Sequence, residues 1–180
     1  SIKFHSKERT IIMLNVLMLG VGQCGNRILD AMNKEAFGGG GASKLAKYYL
    51  RPKFPSRVET LAINTAVNDL KELRFTTAKD RLHVRNLHGV GANRNVGKQA
   101  FMENRDMIMG EIENRGDFDV AFVITSTSGG TGSSFSPLLI NELKRQFKDI
   151  TVSTVAVLPF REEGSSYLQN AAFCMRELME

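Results

Sequence analysis

One stretch limits this chain's possible folds more than any other: Thr125-Ser126-Thr127-Ser128-Gly129-Gly130-Thr131-Gly132-Ser133-Ser134. The apolar run Val120-Ala121-Phe122-Val123-Ile124 leads into it, and the helical pattern Pro137-Leu138-Leu139-Ile140-Asn141-Glu142-Leu143 follows. A strand that turns through glycines into a helix leaves the first helical N–H groups without internal partners, at the positive end of the helix dipole. Glycines let those groups be approached closely. Such a turn is an anion site, suited above all to phosphate.

The first glycine turn in chain order stands earlier, at Gly20-Val21-Gly22-Gln23-Cys24-Gly25, which makes the stretch above the second. It follows an apolar run over 11–19 and opens a helical stretch over about 26–34. Alone it fits the dinucleotide fingerprint of glycines in a tight strand-to-helix turn, a weak match. Two such turns at strand ends say more, because ligands of open α/β sheets bind beyond the carboxyl ends of the strands.

Apolar, β-branched runs alternate with helical patterns along the whole chain. Strands are expected over 58–63, 81–87, 120–124 and 152–158. Helices are expected over 67–73, over 96–112 with Phe101, Ile108 and Ile112 on one side, and from the second glycine turn to about Phe147. A last helix over 165–179 places Leu168, Ala171, Ala172, Met175 and Leu178 on one face. Gly38-Gly39-Gly40-Gly41 and a short amphipathic piece over 44–50 read as an insertion. This alternation implies an α/β fold, a Rossmann-like open parallel sheet with right-handed crossovers and helices on both faces.

With 180 residues the chain suffices for one domain. Its net charge of +5 comes without a long basic run, so nucleic acid is not an expected partner, and a polyanionic nucleotide suits the sign. Cys24 and Cys174 have no metal-site spacing and point to a reducing compartment. No stretch is long enough to span a membrane, and the polar start, Ser1 to Thr10, is no secretory signal. A cytoplasmic location is expected.

The second turn resembles the signature of the tubulin/FtsZ family, a small residue followed by Gly-Gly-Thr-Gly and then Ser, Ala or Thr; Ser128-Gly129-Gly130-Thr131-Gly132-Ser133 matches it. Gly22-Gln23-Cys24-Gly25-Asn26 looks like the opening phosphate loop of tubulins. Ala62-Ile63-Asn64-Thr65 resembles the segment after the second strand of FtsZ, and the run from Gly89 to Lys98 resembles the loop facing the terminal phosphate. Pro159-Phe160-Arg161-Glu162-Glu163-Gly164 resembles the ribose-side loop, with Glu163 in the sugar-contacting place.

The resemblance implies a GTP-binding domain of a filament-forming GTPase that uses GTP or GDP with Mg²⁺ and associates head to tail with itself. It assigns the α- and β-phosphates to Gly22, Gln23 and Cys24, and the base to Asn26. Ser128, Gly129, Gly130, Thr131, Gly132 and Ser133 would wrap the β-phosphate. Gly91, Ala92 and Asn93 would sense the γ-phosphate, with Asn64 and Glu163 as further contacts. No Gly-Lys-Ser/Thr follows a glycine loop, so neutralisation would fall on backbone dipoles and the metal rather than on a lysine.

Four departures stand out. Ala66 occupies the place of an acid that supports Mg²⁺ in FtsZ, with Asp69 three residues on; Ser134 replaces a glycine and could cap the helix with its hydroxyl; Tyr167 replaces an arginine. The fourth is the absence of the central helix and of the acidic loop beyond it, no Asp following Asp149. Residues 1–180 therefore read as the GTP-binding domain truncated before the central helix. Such a chain is expected to bind nucleotide weakly by itself and to hold no catalytic residue, since in filaments the adjacent subunit completes the site.

Blander roles compete residue by residue. Cys24 reads as a small residue that fits its turn, and His83 and His88 as structural or solvated. Met102, Met107 and Met109 read as core filler or surface, Arg94 and Lys98 as exposed loop cations. Two further functions are weighed: a non-hydrolysing nucleotide-binding relative, kept open by Ala66 and Ser134, and a nicotinamide-dependent oxidoreductase using Gly20, Gly22 and Gly25. The latter expects an acid at the tip of the second strand to hold the ribose, where this chain has Asn64.

Overall fold

A computed structural model describes residues 14–37, 56–85 and 89–180. Strand β1 (Leu14–Val21) runs directly into helix α1 (Gly22–Phe37). Then come β2 (Ser56–Asn64), a short helix α2 (Val67–Lys71), a 3₁₀ turn (Ala78–Asp80) and β3 (Arg81–His83). Helices α3 (Arg94–Glu103) and α4 (Arg105–Glu113) precede β4 (Val120–Ser126). Helix α5 (Gly130–Gln146), β5 (Thr151–Val157) and α6 (Ser165–Met179) complete the chain.

The five strands form one sheet in the order β3-β2-β1-β4-β5, and every pair is parallel. Strands covered on both faces must be apolar on both, which is why the runs read as continuous rather than alternating. Leu17, Leu19, Val21, Leu61, Ile63 and Val123 pack on one side with Phe101, Ile108, Ile112, Phe135 and Leu139 of the helices. Ala62 and Ile124 pack on the other with Leu29 of α1 and with Leu70 and Leu73. Phe101 and Phe135 meet edge to face at 5.4 Å and join α3 to α5, a pair worth about 0.5–1.5 kcal/mol beyond the area it buries. The expected doubly covered parallel sheet is thus observed.

Several expectations need correction. The helix over 96–112 is two helices, broken at Asn104 (φ −113°, ψ 11°). The Asn104 amide donates to the Ala100 carbonyl at 2.9 Å, so a local side-chain bond competes with the helix ladder there. The third strand is confined to Arg81–His83. On α6 the buried residues are Ala171 and Cys174, whereas Leu168 is exposed and the Ala172 face points to solvent. Helix α5 begins inside the glycine turn, at Gly130, well before Pro137. The Gly38–Gly41 loop, the piece over 44–50 and His88 lie outside the described residues.

Candidate nucleotide cleft

Strand order reverses between β1 and β4, the switch point at which open α/β sheets place their ligands. The two glycine turns follow these two strands and nest against each other. At Gly22 (φ +71°) an added methyl would lie 2.9 Å from the Gly132 nitrogen. At Gly132 it would lie 2.7 Å from Thr125 Oγ1. At Gly25 it would overlap the Ile124 carbonyl, and at Gly130 the Gly91 carbonyl. These glycines allow backbone to touch backbone. Gly129 and Gly91 (φ +55°) differ, since a methyl at either meets nothing within 4 Å.

Between the turns lies a cleft of about 390 Å³. Its floor is the start of α5. The first four N–H groups of a helix, from N-cap to N3, lack internal partners; here they belong to Gly129, Gly130, Thr131 and Gly132, all four line the cleft, and no side chain caps them. Gly22, Gln23, Cys24, Asn64, Gly91, Ala92 and Ser128 complete the predicted residues that the fold brings together. The Thr131 and Thr65 hydroxyls hydrogen-bond at 2.8 Å and fix the end of β2 to α5.

Asn26, Asn93, Ser133 and Glu163 do not line the cleft. Ser133 lies a turn inside α5, and its hydroxyl donates back to the Gly129 carbonyl. Asn93 is the N-cap of α3, its Oδ1 accepting from the Asn95 and Val96 N–H groups. Glu163 Oε1 accepts the Phe160 N–H at 3.2 Å, so the carboxylate folds back onto its own loop. Asn26 is fully buried, and neither its Oδ1 nor its Nδ2 has a hydrogen-bond partner. A buried amide left unpaired costs about 1–3 kcal/mol.

The fold adds two residues that the sequence reading named only as departures from the family pattern. Asp69, on α2, is the one carboxylate among the residues lining the cleft; it accepts from Gln23 Nε2 and Asn64 Nδ2, each at 3.2 Å. Tyr167, at the start of α6, also faces the cleft. Their only sequence signal was position: Asp69 one helical turn past Ala66, and Tyr167 just after the ribose-like loop.

Among the described residues no Lys, Arg or His lines the cleft. Arg94, expected as an exposed loop cation, is buried. Its guanidinium pairs with Glu177 of α6 at 2.7 Å and donates to the Ser133 carbonyl at 2.9 Å. Pro137, four residues on, has no N–H to give that carbonyl, so Arg94 takes the place of the missing helix bond. Lys98 binds the other Glu177 oxygen at 2.7 Å. Burial pushes the Glu177 carboxyl up, but hydrogen bonds from Arg94 and Lys98 outweigh it and hold the group below its ordinary value.

Ser134 does not cap α5. Its buried hydroxyl donates to the Gly130 carbonyl at 2.6 Å, and Gly97 of α3 packs against it. The Cys24 thiol is pushed up by burial, against a smaller opposing pull from Arg27, which fits a small turn residue rather than a reactive thiolate. His83 Nε2 contacts the Thr65 carbonyl at 3.1 Å, a structural role.

Fold and site together define an open α/β domain with a glycine-lined cleft at the switch point of its parallel sheet. The chain belongs to the tubulin/FtsZ family: the family's GTPase-domain model matches residues 15–180. It is 73% identical over 168 residues to the tubulin-like protein CetZ of Methanothrix thermoacetophila, covering 93% of this chain and 45% of that protein. Among solved structures, CetZ from Methanosaeta thermophila superposes with a TM-score of 0.82 at 69% identity, over 93% of this chain and 43% of that one. The GDP-bound CetZ1 monomer from Haloferax volcanii gives a TM-score of 0.73 at 27% identity, over 92% and 48% of the two chains. The chain thus spans less than half the length of these relatives. No helix among the described residues is long and apolar enough to cross a membrane.

Proposed function

We propose that this chain binds a guanine nucleotide in the cleft between β1, β4 and α5, as the nucleotide-binding part of a filament-forming GTPase. One observation carries the reading: the first turn of α5, whose leading N–H groups have no helix partner and no side-chain cap, lines the cleft beside Gly91, and a methyl at Gly91 or Gly129 would meet nothing within 4 Å. A diphosphate would satisfy those donors and the helix dipole together. Gly22, Gln23 and Cys24 would hold it from the first turn, and Gly91 and Ala92, across from Gly129 and Gly130, would face a terminal phosphate. Asn26 is buried outside the cleft lining, so no base contact is proposed for it. The guanine preference draws its support from family membership and from the GDP-bound relative.

Mg²⁺ fits the donor set in a limited way. No group of three or more His, Cys, Asp or Glu that could hold a metal occurs among the described residues. Magnesium commonly takes one or two carboxylates and the substrate's own phosphates, and Asp69 can supply one. The ion would neutralise phosphate charge where, among the described residues, the cleft has no cation. Asp69, with Gln23 and Asn64 bonded to it, would orient that charge, and the α5 amides would hold the phosphates from the opposite side. Head-to-tail association would supply groups for hydrolysis that this cleft lacks, in the cytoplasm, serving division, shape or partition.

A non-hydrolysing relative is the second reading, favoured by Ala66 and by the engagement of Asp69 with two amides. Calorimetry with GTP, GDP, ATP and NAD⁺, with and without Mg²⁺, tests both. Guanine-selective binding, lost in Gly129→Val, is expected; NAD⁺ selectivity or no binding would overturn the proposal. Turnover by the native protein at its full natural length separates GTPase from silent relative.

A further inference from the structure

Asn170 sits on the inward face of α6, away from every motif that marks the cleft. Its Nδ2 donates to the Ala92 carbonyl at 2.8 Å and to the Ser128 carbonyl at 3.1 Å. Both acceptors belong to residues that line the cleft, one on the loop after β3, the other on the turn after β4. An amide nitrogen has two N–H donors and here uses both. Both partners are carbonyls, so the nitrogen rather than the oxygen must face them, and a carboxylate could not replace it.

The same face of α6 continues the attachment. Cys174 and Glu177, four and seven residues on, lie one and two turns further along it. Cys174 is fully buried, and Glu177 holds Arg94 and Lys98 at the start of α3, directly after the rim loop. The chain from the rim into α3 is therefore fixed to α6 at two points, by a neutral amide at Ala92 and by an ion pair at Arg94 and Lys98 behind it. Gly91, just before both attachments, has a positive φ, and a side chain added there would meet nothing within 4 Å.

We infer that Asn170 is a positioning residue: it locks the rim loop at Gly91–Ala92 to the turn at Ser128, and so sets how well the cleft distinguishes a nucleoside triphosphate from a diphosphate. The inference rests on the proposed nucleotide site. A ligand held by the two glycine turns alone gains nothing from the rim, whereas one reaching Gly91 and Ala92 needs that loop in a fixed place. Asn170 touches neither ligand and acts through the carbonyls it holds.

The test uses the native protein at its full natural length, with Asn170→Asp and Asn170→Ala. Aspartate keeps the size of the side chain and removes the donors, whereas alanine removes the group without adding charge. Kd values for GTPγS and GDP are measured by calorimetry, and amide hydrogen exchange over 89–93 is followed in the nucleotide-free protein. In both variants the GTPγS Kd is expected to rise about tenfold and the GDP Kd less than about threefold, with faster exchange over 89–93 and unchanged exchange in α5 beyond Pro137.

Equal effects on both nucleotides would overturn the discriminating role, as would an aspartate variant that behaves like the wild type, which would leave Asn170 a packing residue. Should the wild type bind no guanine nucleotide, the functional reading falls and the discriminating role with it. Exchange over 89–93 would still decide the staple, faster in both variants if it holds the loop and unchanged if it does not.

Discussion

The glycines of the first turn and those of the cleft rim occupy opposite environments. Gly20, Gly22 and Gly25 are buried, each with backbone where a side chain would go: a methyl at Gly20 would lie 2.7 Å from the Gly25 carbonyl oxygen. Gly91 and Gly129 face open space. One residue type serves close packing in one place and access in the other, and the motif letters do not distinguish them. Gly130 belongs to both, as part of the cleft floor and as the contact point with the Gly91 carbonyl. A substitution that abolishes binding therefore reports on the ligand only when made at a glycine of the second kind.

The largest effect should come from the packed side. Gly25→Ala forces a methyl into the Ile124 carbonyl, backbone that cannot rotate away. Overpacking of this kind costs about 1–3 kcal/mol and more where backbone must move, so a loss of about 3 kcal/mol in urea-induced unfolding is expected. A loss below about 1 kcal/mol would show that the two glycine classes are not distinct. Behind the rim, Arg94→Met removes the partner of Glu177 and of the Ser133 carbonyl. Breaking a buried pair costs about 3–5 kcal/mol; Glu177 is 22% exposed and keeps Lys98, so about 2–3 kcal/mol is expected in the same measurement.

Gly129→Ala sharpens the contrast from the other side. Gly129 is extended (φ −71°, ψ 173°), a conformation open to any residue, and its methyl would meet nothing. As an N-cap, alanine is poorer than glycine, by about 1 kcal/mol or less. The same methyl would occupy space proposed for phosphate, so the guanine-nucleotide Kd should rise about tenfold or more while unfolding stability falls by no more than about 1 kcal/mol. Unchanged affinity would place the phosphates elsewhere.

Much of this was legible in the chain. Parallel strands covered on both faces announce themselves as unbroken apolar runs, so the sheet and the cleft's two walls followed from Val120–Ile124, the run before Gly20, and their glycines. What was not legible depends on partners far away in sequence. Nothing near Arg94 shows that Pro137 leaves a carbonyl free for it, or that Glu177 waits on another helix. Asn170 carries no motif, because its meaning lies in two carbonyls 78 and 42 residues away. Asn104 breaks a helix through a bond to its own i−4 carbonyl, which periodicity does not register. Glu163 was placed by its motif, yet its rotamer turns to Phe160 instead of the cleft.

The smallest expected effect concerns the ion pair that backs the rim. Glu177 faces Arg94 and Lys98 from α3, with Cys174 beside it on α6. The Cys174 thiol is pushed up to about 11, chiefly by burial, so it stays neutral in acid and does not contribute there. The Glu177 carboxyl is held below its ordinary value, burial working against that and the two hydrogen-bonded cations for it. A depressed folded pKa means that the unfolded chain binds more protons in the acid range, so stability rises with pH there. The contribution is fully present above the ordinary carboxylate value of about 4.3 and is lost as pH falls through the lower folded value. Glu177→Gln keeps an acceptor for Arg94 but cannot ionise. The stability gap between wild type and variant should therefore be constant from about pH 6 to 7 and close progressively below about pH 4. Asp30, likewise held low by N–H groups of Arg74, Phe75 and Thr76 against its burial, contributes equally to both proteins and cancels in the difference. A gap that stays constant down to pH 3 would mean that the rim is backed by packing around Cys174 and not by charge.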